Sequence, residues 1–101
     1  MTMANRQEQV MMHLYAHRRG GTEYEMPFAT TQDGIADAVG ICRSQASAVL
    51  KRLEEKDLVY HLARHAYREG CPNRRLRRCY RLNPLGKVRA CELLEESGEV
   101  A

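Results

Sequence analysis

Two apolar helical patterns flank Gly40 in the segment TQDGIADAVGICRSQASAVLKRLEEKDLV, which runs from Thr31 to Val59. The first pattern predicts a helix that begins after Thr31, whose hydroxyl can accept a hydrogen bond from the first helical turn. Gly40 can end this helix in the left-handed backbone conformation, which costs glycine little because it has no Cβ. The second pattern predicts a helix from about Arg43 to Lys56. The residues expected to face the core are Ile35, Ala36, Val39, Ala46, Val49, Leu50 and Leu53.

The two helices and their short turn resemble the helix-turn-helix motif. Helices that cross steeply need a small residue where they touch, and Ala36 meets this requirement. They also need a turn residue without a Cβ, and Gly40 stands there. An ordinary αα-hairpin in a small bundle has the same features, so the motif alone leaves that alternative open.

The flanking sequence predicts further helices and strands. A helix from about Asn5 to Arg18 precedes the motif and is followed by a loop with a short extended piece around Met26 to Ala29. After the motif, the pattern favours strands at Val59–Arg68 and Arg75–Leu82, with Gly, Pro and Asn in the turn between them. The pair Asn83-Pro84 then begins a last helix, because proline suits the first helical turn. The apolar side of that helix is expected to carry Val88, Cys91 and Leu94.

This order of elements resembles a winged helix-turn-helix domain, an α+β fold with a three-helix core, a β-hairpin wing and a short C-terminal helix. The segment SQASAVLKRLEEKDLVYH, residues 44–61, is similar to the recognition helix and strand entry of MarR-like and related archaeal transcription regulators. The segment RRCYRLNPLGK, residues 77–87, resembles their second wing strand and the entry to the next helix. The resemblance covers about Glu8 to Leu94 and implies a single DNA-binding domain over residues 1–101. Cys42 departs from the group, because Ser or Thr commonly caps the recognition helix there.

Positive charge is concentrated in the expected wing, residues 64–81. The whole chain has a net charge of +3, whereas this segment alone contains seven arginines and one acidic residue, Glu69. The last ten residues carry four glutamates and no basic residue. A protein polarised in this way presents a cationic face to an anionic partner.

The resemblance and the charge together predict double-stranded DNA as the partner. Helix 43–56 is expected to lie in the major groove, where Arg43 can bond to guanine, Gln45 to adenine, and Ala48 can contact a thymine methyl group. The wing is expected to lie along the phosphate backbone or in the minor groove. Glu54 and Glu55 are expected on a solvated part of the helix. The predicted DNA-binding residues are Arg43, Ser44, Gln45, Ser47, Ala48, Lys51, Arg52, Arg74, Arg75, Arg77 and Arg78.

A homodimer is also expected, because most proteins of this fold read two half-sites. The candidate dimerisation segments are residues 5–18 and 84–96. The short final helix puts dimerisation through long terminal helices in question. The side chains proposed for the interface are Leu14, Tyr15, Leu93 and Leu94.

The four cysteines leave two alternatives open. A metal-responsive regulator could use His61, His65, Cys71 and Cys79, although their spacing does not match a closed zinc site. A redox-responsive regulator could use Cys42, whose pKa the helix N-terminus and Arg43 would lower. Reduced thiols that act as small apolar side chains are the default for a cytoplasmic protein.

Other functional classes find less support in the sequence. A winged helix can also dock on proteins, so a protein-interaction module is the alternative from another class. No phosphate-binding glycine loop and no nucleophile–base signature indicates an enzyme. The N-terminus lacks a signal-peptide pattern and no run approaches membrane-spanning length, so a cytoplasmic protein is expected, without a cofactor. No effector pocket is evident from the sequence.

Overall fold

A computed structural model describes residues 5–22, 24–68 and 75–96 of the chain. These residues form four α-helices and three strands, in the order α1, β1, α2, α3, β2, β3, α4, with one short 3₁₀ turn at Phe28–Thr30. The helices are α1 at Arg6–Ala16, α2 at Gln32–Val39, α3 at Arg43–Glu55 and α4 at Pro84–Glu96. The strands are β1 at Glu25–Pro27, β2 at Val59–Tyr67 and β3 at Leu76–Leu82. No helix among the described residues is long and apolar enough to cross a bilayer.

The predicted turn between α2 and α3 is confirmed. The Thr31 hydroxyl oxygen accepts a hydrogen bond from the backbone N–H of Gly34 at 3.1 Å, which caps α2. Gly40 has φ 78° and ψ 37°, and its N–H donates to the Ala36 carbonyl at 2.9 Å. This left-handed residue ends α2 and lets the chain enter α3 three residues later, at Arg43.

Gly34 has a packing role that the sequence did not reveal. A Cβ built at this position would lie 2.0 Å from the carbonyl oxygen of Phe28. The start of α2 therefore lies directly against the 3₁₀ turn, and only glycine permits that approach. The extended piece predicted around Met26–Ala29 is correspondingly shorter, because the chain leaves β1 at Pro27 and enters this turn.

The three strands form one sheet in the order β1-β2-β3. β1 pairs parallel with β2, whereas β2 and β3 pair antiparallel from Val59↔Leu82 to His65↔Leu76. The long antiparallel pair is the expected wing hairpin. Its predicted turn, residues 69–75, lies outside the described residues except for Arg75.

The core lies between the helices and the inner face of β3. The predicted burial of Tyr80 and Leu82 on the helices is confirmed. Val39 and Val49, also expected inside, are only half-buried and pack against the edge of the core. The buried cluster consists of Val10, Met11, Leu14, Ile35, Leu50, Leu53, Val59, Tyr80, Leu82, Ala90 and Leu93.

The predicted inner face of α4 is wrong. Val88 is 57% exposed, and the residues that face inward are Gly86, Ala90 and Leu93. The cause is the close approach of α4 to the chain before β2, where a Cβ on Gly86 would lie 2.0 Å from the Leu58 carbonyl oxygen. Asn83 fixes the same contact, because its backbone N–H donates to the Leu58 carbonyl at 3.1 Å and its side-chain oxygen accepts from the Gly86 N–H at 2.9 Å. Gly86 thus determines which side of α4 packs against the core, although a pattern of apolar residues does not take glycine into account.

The proposed dimer contacts also need correction. Leu14 is 2% exposed and Leu93 is 6% exposed, so both belong to the core of a single chain. Tyr15 and Leu94 are half-buried. The large apolar side chains that α4 exposes are Leu85 and Val88.

Candidate nucleic-acid interface

One edge of α3 is open to solvent along its length. Exposed positions recur every three or four residues, which places them on one face of the helix. The exposed residues of the predicted DNA-binding set on this helix are Arg43, Ser44, Ser47, Ala48, Lys51 and Arg52. The opposite side of α3 packs through Ala46, Leu50 and Leu53.

Gln45 differs from its neighbours on α3. It is half-buried, and its side-chain oxygen accepts a hydrogen bond from the backbone N–H of Cys42 at 3.1 Å. It also lines a groove with Asn5 to Gln7 at the start of α1. A bidentate contact with adenine uses both ends of the carboxamide, so Gln45 would have to give up this bond to read a base.

Asp33 joins α3 to the wing, a contact that the sequence did not predict. Its Oδ2 accepts a hydrogen bond from Arg77 Nη1 at 2.9 Å, and its Oδ1 lies 3.4 Å from Arg43 Nε. Asp33 stands on the first turn of α2, Arg43 is the first residue of α3, and Arg77 lies on β3. One carboxylate therefore brings the start of the expected recognition helix beside the first residues of β3, at the turn end of the wing.

An open groove extends from this junction. Its walls come from the start of α2, the start of α3 and the first half of β3, and both Arg75 and Arg78 are exposed. Arg74, also predicted to bind DNA, lies outside the described residues. The lining residues are Thr31, Gln32, Asp33, Arg43, Arg75, Leu76, Arg77 and Arg78.

Some arginines of the basic segment point elsewhere. Arg81 donates from Nη2 to the Gly20 carbonyl at 2.8 Å and ties the loop before β1 to the sheet. The guanidinium of Arg68 lies 4.9 Å from the centre of the Phe28 ring. The charge available at the groove is consequently smaller than the count in residues 64–81 indicates.

The acidic end of α3 is separated from its basic start. Glu54 contacts the Nδ1 atom of His61 on β2 at 3.1 Å, and Glu55 is exposed. Glu54 therefore has a partner on the sheet, whereas the sequence assigned it only to a solvated surface. Basic and small polar side chains occupy the first half of the helix surface, and carboxylates occupy its end.

Cys42 lies at the N-terminus of α3 and is exposed. Its Sγ atom is 3.1 Å from the Ser44 hydroxyl oxygen. This hydrogen bond, followed by the backbone N–H of Gln45, lowers the pKa of the Cys42 thiol below its ordinary value. The expected direction is found, but its first cause is the Ser44 hydroxyl and not Arg43.

The groups considered for a metal are divided between the two faces of the hairpin. His61 pairs across the ladder with Tyr80 and His65 with Leu76, so both histidines lie on one face. Cys79 faces the other way, opposite Leu62, and burial raises the pKa of its thiol. Cys71 lies outside the described residues. Among the residues described, no three metal-ligating side chains converge.

Comparison with known proteins gives structural neighbours only. No family model and no curated protein matches the chain. A mutant of Staphylococcus aureus MepR superposes with a TM-score of 0.68 at 24% identity over 95% of this chain. MepR described as a transcription regulator of the S. aureus multidrug efflux pump MepA gives 0.65 at 24% over 93%, and an S. aureus MepR–DNA complex gives 0.64 at 23% over 95%.

The chain has the winged helix-turn-helix fold. The fold expected from the MarR-like resemblance is thereby confirmed. The chain covers 59%, 57% and 68% of these three MepR chains, in the order given. In the winged-helix frame, α3 occupies the place of the recognition helix and the β2–β3 hairpin is the wing.

Proposed function

We propose that this chain binds double-stranded DNA in a sequence-specific manner and regulates transcription. The observation that carries the proposal is the junction at Asp33, which puts the exposed start of α3 and the wing arginines at one groove. The solved MepR structures, one of them a complex with DNA, share this fold and add support. Such a regulator acts on cytoplasmic DNA and needs no enzymatic activity.

The first half of α3 supplies the contacts to bases. A helix fits the major groove of B-DNA with its N-terminal residues nearest the base edges. Arg43 can bond to guanine, Ser44 and Ser47 suit bases or phosphates, and Ala48 permits close approach or contacts a thymine methyl group. One turn later, Lys51 and Arg52 reach phosphates. Gln45 is the remaining candidate for a contact with a base.

The wing supplies the electrostatic contribution. Arg75 and Arg78 are exposed beside the groove, and Arg77 lies between them. Guanidinium groups there can follow the phosphate backbone or enter a narrow minor groove, where the negative potential is strongest. Arg74 belongs to the same proposed set.

We also propose that the protein acts as a homodimer. One winged helix covers limited DNA surface, and two copies reading two half-sites give the affinity that a specific site needs. Leu14 and Leu93 are buried within one chain, so the interface uses the exposed apolar side chains Leu85 and Val88 on α4. Selection of bound duplexes from a random pool tests this, since a dimer selects a repeated half-site.

Duplex binding is tested with a matched pair of substitutions. Ala48 on α3 and Ala38 on α2 are both exposed, and the groove that Ala38 lines contains none of the predicted DNA-binding residues. Ala48→Glu places a carboxylate on the proposed DNA face and should abolish binding to duplex in fluorescence anisotropy. Ala38→Glu makes the same chemical change elsewhere and should leave binding intact.

Three results would contradict the proposal. The first is a folded wild-type protein without affinity for random duplex at low salt, which would favour a protein-interaction module. The second is equal binding by the two glutamate variants. The third is equal loss of binding in both folded variants, which would mean that added negative charge weakens binding wherever it is placed and that α3 has no special role.

A further inference from the structure

Three separate elements of the fold meet at one carboxylate. Asp33 of α2 accepts from Arg77 Nη1 of the wing at 2.9 Å and lies 3.4 Å from Nε of Arg43 on α3. We infer that Asp33 is a positioning residue that sets the specificity of the proposed interface. It orients Arg43 toward bases and competes with phosphates for Arg77. This inference rests on the proposed binding of DNA.

The carboxylate is held in a fixed position. Thr31 caps α2 two residues earlier, and Gly34 packs against the Phe28 carbonyl with no room for a Cβ. Asp33, between these two residues, is only 32% exposed. It therefore presents both oxygens from a constrained helix end and not from a mobile loop.

Asp33 competes with DNA phosphates for the wing. Carboxylate and phosphate oxygens are both anionic acceptors for a guanidinium, and they take the same N–H donors. Arg77 already uses Nη1 on Asp33 at 2.9 Å. Sequence-independent binding depends on phosphate contacts, so this internal pair weakens binding to random duplex.

The effect on Arg43 is different. Asp33 contacts the Nε edge of this side chain, which is 70% exposed, so the guanidinium remains accessible to a ligand. A bidentate contact with guanine needs the guanidinium in a defined plane and direction. The fixed carboxylate of Asp33 holds one edge of the Arg43 guanidinium and restricts its direction before DNA binds. This restriction favours binding to a specific site and gives no advantage on random sequence.

The test is Asp33→Asn, with Asp37→Asn as the matched control. Both residues lie on α2, and both substitutions remove one negative charge from an isosteric side chain. Asp37 is exposed and contributes nothing to the basic groove. Binding is measured by anisotropy across a salt series, on random duplex and on a duplex selected from a random pool by the wild-type protein.

Asp33→Asn should bind random duplex more tightly than wild type and prefer the selected duplex less. The slope of log K against log salt should steepen by about 0.9, because Arg77 is released to one phosphate. Asp37→Asn should keep the wild-type slope and preference. Asp33→Glu, which retains the charge, should restore a slope close to that of wild type, so the readout does not depend on the Asn variant alone.

The other outcomes are informative as well. Weaker binding of random duplex by folded Asp33→Asn, or a slope equal to that of Asp37→Asn, would overturn the inference. A slope for Asp33→Glu as steep as that expected for the Asn variant would also overturn it. A wild-type protein that binds no duplex would instead refute the proposed function.

Discussion

The exposed wing arginines should govern how DNA binding responds to salt. Arg75 and Arg78 are exposed at the groove, and neither shares the carboxylate that holds Arg77. Each phosphate contact contributes about 0.9 to the slope of log K against log salt. Arg75→Ala with Arg78→Ala should therefore flatten the slope by about 1.8. A four-fold rise in salt would then weaken the wild type about 12-fold more than the double variant.

The assay is fluorescence anisotropy on random duplex across salt concentrations from about 50 to 200 mM. Arg89→Ala is the control, because Arg89 lies on α4 and pairs with Glu92 at 3.2 Å and with Glu8 at 3.8 Å. That control removes a positive charge away from the proposed interface and should preserve the slope. An unchanged slope in the double variant would remove the wing from the contact, and an equal flattening in Arg89→Ala would show only an effect of net charge.

Two further predictions concern stability. Gly86→Ala should destabilise the protein by about 2 kcal/mol or more, because its Cβ would lie 2.0 Å from the Leu58 carbonyl oxygen. Chemical denaturation measures this, and a variant as stable as wild type would show that the close approach is not required. His13 is expected to make stability pH-dependent, because burial above all lowers its pKa in the folded protein from 6.5. The unfolded chain then binds more protons, so the stabilisation is complete above about pH 6.5 and is lost as pH falls through the folded pKa. Denaturation at several pH values should show a smaller loss of folding stability on acidification in His13→Gln than in wild type. An equal loss of stability would contradict the assignment of this pH dependence to His13.

Residues close together in the chain predict much of the fold. The cap at Thr31, the left-handed Gly40 and the start of α4 at Pro84 follow from what these residues do to their own backbone, and each is found as expected. The exposed edge of α3 also follows from helical spacing, because its apolar residues leave one face for solvent. Such features depend on contacts a few residues apart, which a sequence pattern records directly.

The errors came from packing between distant segments. The apolar spacing of α4 predicts Val88 inside, but the close contact between Gly86 and Leu58 turns α4 so that Ala90 and Leu93 face the core. Leu14 was assigned to a dimer interface, although it is buried within one chain. An apolar side chain is expected to be buried, but its apolarity does not identify the segment or the second copy of the chain against which it packs.

Local sequence patterns are sufficient to predict the order of the elements, the helix ends and the uneven distribution of charge. Which arginines share a surface depends on tertiary packing, because Arg43 and Arg77 are far apart in the chain and meet through the carboxylate of Asp33. Tertiary packing likewise turns Arg81 away to the carbonyl of Gly20. A hydrogen bond acts over about 3 Å, so its partners are fixed by how helices and strands pack and not by their spacing in the chain.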